Sequence, residues 1–171
     1  RKMAYVPDTP RLEEYMTGMQ YLNFVCDIYQ ISAKERKQNI ERLIHAFQME
    51  PHISGLISSY SHGMKQKVAL IAAFSHNPKL LVLDEPFVGL DPEAFIALKE
   101  QMKMLCRKGS SILFSSHILD VVEKLCNKIS IIKDGRLLYS GSTEELIGVE
   151  GLEEAFMELN SNESFDPSIE K

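Results

Sequence analysis

Leu80-Leu81-Val82-Leu83-Asp84-Glu85-Pro86 sets two acids at the end of a short aliphatic run, and Gly89-Leu90-Asp91 follows after Phe87 and Val88. Leu80 to Leu83 is too short and too uniformly aliphatic for an amphipathic helix. Bounded by Asn77-Pro78 and Pro86, it is predicted to be a parallel strand covered on both faces. Acids at the carboxyl end of such a strand face a ligand crevice. Asp84 is then placed to hold Mg²⁺ through its water shell. Glu85, one residue on and pointing elsewhere, is placed to orient and deprotonate a water attacking a terminal phosphate. An Asp-Glu pair by itself also suits a plain helix N-cap, so the surrounding segments decide between the two.

Upstream, Ser59-Tyr60-Ser61-His62-Gly63-Met64-Lys65-Gln66-Lys67 opens an apolar helix, Val68 to Phe74; downstream, Ser115-Ser116-His117 ends a second strand, Ser111 to Phe114. A helix start carries unsatisfied N–H groups and about half a positive charge, so Ser61 and the Gly63 amide form an anion site suited to a γ-phosphate, while Ser61 also caps the helix. In this order and spacing the segments resemble the ATP-binding subunit of an ABC transporter, from about Tyr5 to Asn160. Tyr60 to Met64 resembles the family's Leu-Ser-Gly-Gly-Gln signature, matching at Ser61 and Gly63. Leu80 to Glu85 resembles Walker B with its catalytic glutamate, Gly89-Leu90-Asp91 the D-loop, and His117 the switch histidine. Tyr5-Val6-Pro7-Asp8 is similar to the Q-loop, with Asp8 in place of the usual glutamine. Lys133 to Arg136 and Tyr139 to Ser142 resemble the family's late hairpin, and Gly151 to Asn160 resembles the closing helix of the drug and antimicrobial-peptide exporter branch.

The resemblance implies an α/β fold of the P-loop nucleoside triphosphate hydrolase type. It implies MgATP as ligand, Glu85 as general base, Asp84 as the Mg²⁺ acid and His117 as the γ-phosphate switch. Ser61 and Gly63 would contact the nucleotide on a second subunit, Asp91 would link the two sites, and Asp8 would help order Mg²⁺ waters and still couple the loop to a membrane partner, or do neither. The expected partners are a second nucleotide-binding subunit and transmembrane permease subunits, with the chain on the cytoplasmic face of the membrane and solute export as the outcome. Residues 1–76 are expected to hold the Q-loop and a helical subdomain with the signature, 77–160 the carboxyl-terminal part of the α/β core, and 161–171 a disordered tail.

No G-x-x-x-x-G-K-[ST] loop occurs, and none of the nine glycines precedes a lysine. That loop supplies the N–H cradle and lysine for the β- and γ-phosphates. The chain is therefore expected to be a fragment lacking the amino-terminal third of the family's domain. In the family's sheet, the strand ending at His117 lies between the Walker B strand and the phosphate-loop strand, which also pairs with the strand near Lys128 to Ile132; those two strands are not expected to pair directly.

Composition excludes several classes. The 171 residues, 44% apolar, can bury one sizeable core, and 19 basic against 24 acidic residues give a net charge of −5, with no pull toward nucleic acid. Cys26, Cys106 and Cys126 are odd in number and widely spaced, which predicts buried free thiols. The longest wholly apolar run, Val68 to Phe74, is far below the ~18 residues of a membrane span. Thr17 and Ser32 are predicted to cap helices reaching Tyr29 and Phe47, with Tyr21, Leu22, Phe24, Val25 and Ile28 as the apolar face of the first. Ser61, Asp84 or Asp91, and His117 also follow the chain order of an α/β-hydrolase triad, but Leu56-Ile57-Ser58 is too short and polar for the strand that must precede its nucleophile. Two further alternatives are a non-catalytic partner-binding fragment and an ABC-type ATPase not linked to transport.

Overall fold

The computed structural model describes residues 2–147 and 151–161. Of the expected disordered tail, 161–171, Ser161 ends a helix and residues 162–171 lie outside the described residues. The described residues divide into two compact units, one up to Ser116 and one from His117 on.

In the first unit, β1 (Met3–Val6) leads to α1 (Gly18–Ile28) and α2 (Ala33–Ala46); a 3₁₀ turn (Ile57–Ser59) precedes α3 (His62–Ser75), followed by β2 (Leu80–Leu83), α4 (Pro92–Arg107) and β3 (Ser111–Phe114). Local chemistry sets the helix starts. Thr17 Oγ1 accepts from Gln20 N at 3.2 Å while Gln20 Oε1 accepts from Thr17 N at 2.8 Å, a reciprocal capping box. Ser32 and Asp91 cap α2 and α4 through their side chains, and Pro92 occupies the first turn of α4, where its missing N–H costs nothing. α3 is buried on all sides from Gln66 to Ser75, so it is the central helix of the unit, packed on α1, α2 and β1. Phe87, just past the acid pair, is buried against Phe95 of α4 and Phe114 of β3, with ring centroids 4.8 and 6.0 Å away.

The three strands form one parallel sheet in the order β1-β2-β3, with Val6 beside Leu83 and Leu83 beside Phe114. Strand alternation sends Ala4, Val6, Leu81 and Leu83 to the buried face. The opposite face departs from expectation. Met3, Tyr5, Leu80 and Leu113 lie on it at 38% to 65% exposure, so the Walker B-like strand is covered on one face only among the described residues. α1 also differs. It buries Leu22 and Cys26, whereas Phe24 and Ile28 are exposed. Ile28 shares an i, i+4, i+7 stripe with Tyr21 and Val25, and that stripe lines a groove of about 650 Å³ that remains open instead of packing into the core.

The second unit contains α5 (Leu119–Leu125), β4 (Lys128–Lys133), β5 (Arg136–Ser142), α6 (Thr143–Ile147) and α7 (Leu152–Ser161). β4 and β5 form an antiparallel hairpin through Asp134 and Gly135, both with positive φ, as a tight two-residue turn requires. The hairpin is its own two-stranded sheet. Leu152 packs with Ile129 and Ile131, and the Glu123 carboxylate accepts from Leu152 N at 2.8 Å at the start of α7. The three cysteines are free, as expected; Cys26 is buried, but Cys106 is exposed because it lies on the solvent side of the last turn of α4, and Cys126 is half-buried. Burial pushes the Cys126 thiol up to about 11.

Candidate functional site

Parallel pairing delivers Asp84 and Glu85 to the carboxyl edge of the sheet. Asp84 N donates to Val6 O at 2.9 Å, and Ser115 N donates to Leu83 O at 3.0 Å, so β1 and β3 extend their ladders to either side of the acid pair. The pair turns sharply here. Glu85 has φ +43°, a left-handed conformation uncommon for a residue with a side chain and one that costs about 1–3 kcal/mol when imposed by surroundings. The Ser115 hydroxyl meets both acids: Oγ donates to Asp84 Oδ1 at 2.6 Å and accepts from Glu85 N at 2.9 Å. Both residues are half-buried.

Ser61 caps α3, its Oγ accepting from Met64 N at 3.3 Å, and it is exposed at the amino end of a fourteen-residue helix. The turn before it is 3₁₀, not a strand, which removes the nucleophile-elbow alternative. Gly63 is required by its neighbour: a Cβ there would stand 2.6 Å from Gly89 O. Gly89 itself has φ +76°, and a Cβ on it would stand 3.0 Å from His62 Cδ2. The signature-like and D-loop-like segments are thus packed backbone to backbone. Lys67, one turn further along α3, is buried and reaches back to Asp91, Nζ to Oδ2 2.5 Å, while Asp91 Oδ1 accepts from Ala94 N at 2.8 Å. The Lys67 contact and the Ala94 hydrogen bond hold the Asp91 carboxyl below the usual carboxylate range.

Asp8 is exposed beyond the end of β1, with Oδ1 accepting from Thr9 N at 2.6 Å, and lines the open groove with Tyr21, Val25, Tyr29 and His76. His117 is exposed and opens the second unit. The first unit therefore brings together Asp84 with Glu85, and Gly63 with Gly89 and Asp91. Ser115 and Lys67 were not among the sequence-predicted site residues. Ser115 stood in the quoted Ser-Ser-His run, and Lys67 is a cation leading directly into the apolar run of α3, a placement that calls for a buried partner.

Among the described residues no three or more His, Cys, Asp or Glu side chains are grouped to hold a metal ion. Mg²⁺ that arrives with a nucleotide needs only one or two protein carboxylates beside the phosphates, so a single hydrogen-bonded Asp84 suits that ion.

Residues 29–123, more than half of the chain, match the family model described as "AAA domain, putative AbiEii toxin, Type IV TA system", a span that includes the signature-like segment, the acid pair and His117. A solved structure, "Structure of ATP binding subunit of ABC transporter", superposes with a TM-score of 0.88 at 35% identity, covering 93% of this chain and 68% of that one. The chain belongs to the ATP-binding subunits of ABC transporters. Among curated relatives of this ABC subunit, the ABC-type transporter ATP-binding protein EcsA of Bacillus subtilis is 35% identical over 157 residues, 92% of this chain and 64% of EcsA. The linearmycin resistance ATP-binding protein LnrL of the same organism is 29% identical over 168 residues, 92% of this chain and 54% of LnrL. The chain thus spans roughly half to two thirds of the length of these relatives. The match supports the expected α/β fold of the P-loop nucleoside triphosphate hydrolase type. No helix among the described residues is long and apolar enough to cross a membrane.

Proposed function

We propose that this ABC subunit chain supplies the hydrolytic acids and the signature half of a composite ATP site, in a transporter that exports its solute. The observation that carries this is the acid pair at the carboxyl edge of a parallel sheet, with Glu85 held in a left-handed turn and Asp84 hydrogen-bonded by Ser115. Bound Mg²⁺ would neutralise phosphate charge. Glu85 takes a proton from the water that attacks the γ-phosphorus, as the bond from phosphorus to the ADP oxygen breaks. Asp84 would hold the metal's water shell, and the role proposed for His117 is contact with the γ-phosphate. Ser61 and the Gly63 amide, at the open amino end of α3, bind the γ-phosphate of a nucleotide held by a second subunit, so dimerisation is part of the reaction. Asp91 connects this signature segment to the acid pair. Residues 1–76 carry the partner-facing parts and 77–160 the hydrolytic ones. Export is supported by the resemblance of Gly151 to Asn160 to the exporter branch's closing helix and by the similarity to the linearmycin resistance ATP-binding protein LnrL.

Permease subunits are the proposed membrane partners, and the apolar stripe Tyr21, Val25 and Ile28 beside Asp8 is the surface that fits a docking helix. The subunit would then sit on the cytoplasmic face of the membrane. A phosphate-release assay tests the whole reading. The 171-residue chain alone, which has no phosphate-loop motif, is expected to give no Mg²⁺-dependent turnover, and a subunit joining it to such a loop is expected to hydrolyse ATP. Turnover by the bare chain that disappears in Glu85→Gln would contradict the division of labour.

A further inference from the structure

We infer that Ser115 is a positioning residue for hydrolysis, setting the Asp84 carboxylate and the Glu85 backbone with a single hydroxyl. The inference rests on the roles proposed above for those two acids. The Ser115 main chain is fixed by its ladder bond to Leu83 O, which places Oγ over the turn that follows β2. A serine hydroxyl has one proton and two lone pairs. Here the proton goes to Asp84 Oδ1 at 2.6 Å, and the oxygen accepts the Glu85 N–H at 2.9 Å. With the proton committed to the carboxylate, the lone pairs turn toward the amide, so the two bonds reinforce each other.

The amide is that of a residue at φ +43°, where the backbone must be held by its surroundings; Val88 N, donating to Glu85 O at 3.1 Å, holds the other side of the same peptide segment. Ser115 therefore controls where the Glu85 side chain departs from the sheet and how the Asp84 carboxylate is rotated. Its own exposure makes a core-packing role a poor account of the residue. The consequence is kinetic. Loss of the hydroxyl leaves nucleotide affinity to the phosphate contacts but loosens the base and the metal-holding acid, and a displacement of about 1 Å at reacting groups can cost ~10²-fold in rate.

The test compares Ser115→Ala, Ser115→Thr and Glu85→Gln in a subunit that joins this chain to a phosphate-binding loop, with ATPase kinetics and melting temperature measured on each. Ser115→Ala is expected to lower kcat by about 10–100-fold with KM for MgATP little changed, and Ser115→Thr, which keeps the hydroxyl, to recover most of the loss. A Ser115→Ala kcat equal to wild type while Glu85→Gln is inactive would overturn the inference and leave the proposed function standing. An active Glu85→Gln would instead remove the general base and the proposed function with it. If Ser115→Ala melts early, the isosteric pair Ser115→Thr and Ser115→Val decides: unequal kcat supports the hydroxyl's role, and equal kcat overturns it.

Discussion

Lys67 Nζ lies 2.5 Å from Asp91 Oδ2, tying the buried interior of α3 to the residue that starts α4. The two segments that would face a second subunit therefore move as one piece. Lys67→Met keeps the buried stem and removes the charge, and is expected to lose about 0–1 kcal/mol, whereas Lys67→Ala loses the stem packing as well. Asp91→Ala also removes the α4 cap, worth about 1 kcal/mol. The sign with pH follows from the lowered Asp91 carboxyl. Its stabilisation is fully present above the ordinary aspartate value of about 3.9 and is lost as pH falls through the lower folded value. Urea midpoints of wild type and Asp91→Asn, compared from neutral pH down into that acid range, check this; parallel curves would remove the pair from the account.

Gly63→Ala is expected to displace the segment after Glu85, because its new Cβ would meet the Gly89 carbonyl at 2.6 Å and backbone cannot swing aside as a side-chain tip can. The loss of stability should lie in the range of about 1–3 kcal/mol seen for overpacking. Thermal unfolding measures it. A melting point unchanged from wild type would mean that the contact between the two loops relaxes freely.

Ser61→Asp separates capping from phosphate binding. Aspartate caps a helix as well as serine does, so the melting point should hold, while its charge opposes a γ-phosphate at the same helix start. ATPase activity of the dimer should fall by orders of magnitude. Retained activity would show that Ser61 does no more than cap α3.

Much of this was legible in the sequence for reasons that are local. Thr17 and Ser32 precede helices they cap, and Leu80 to Leu83 is too short and aliphatic for an amphipathic helix, so the order of these elements followed directly. What was not legible depends on contacts across the chain. Nothing near Ser115 announces that Glu85 is in a left-handed turn thirty residues away with its N–H aimed at that hydroxyl. Lys67 leads straight into the apolar run of α3, but the sequence does not say that its partner is Asp91, at another helix start. The run Leu80 to Leu83 was expected to be buried on both faces because its side chains are uniformly aliphatic, but composition cannot say whether the Met3, Tyr5 and Leu113 face has a cover. The same limit applies to α1, where Tyr21, Val25 and Ile28 have core-like chemistry and line an open groove.

Glu85→Gln is the most direct test of the central claim, made in a subunit that joins this chain to a phosphate-binding loop. Glutamine keeps the size and hydrogen-bonding reach of the side chain but cannot take a proton. Nucleotide binding and single-turnover hydrolysis are measured on the same preparation. The account predicts near-normal ATP affinity, hydrolysis slowed by orders of magnitude, and a nucleotide-bound dimer that persists. Hydrolysis at the wild-type rate, or an equal loss of binding and turnover, would contradict the assignment of Glu85 as the general base.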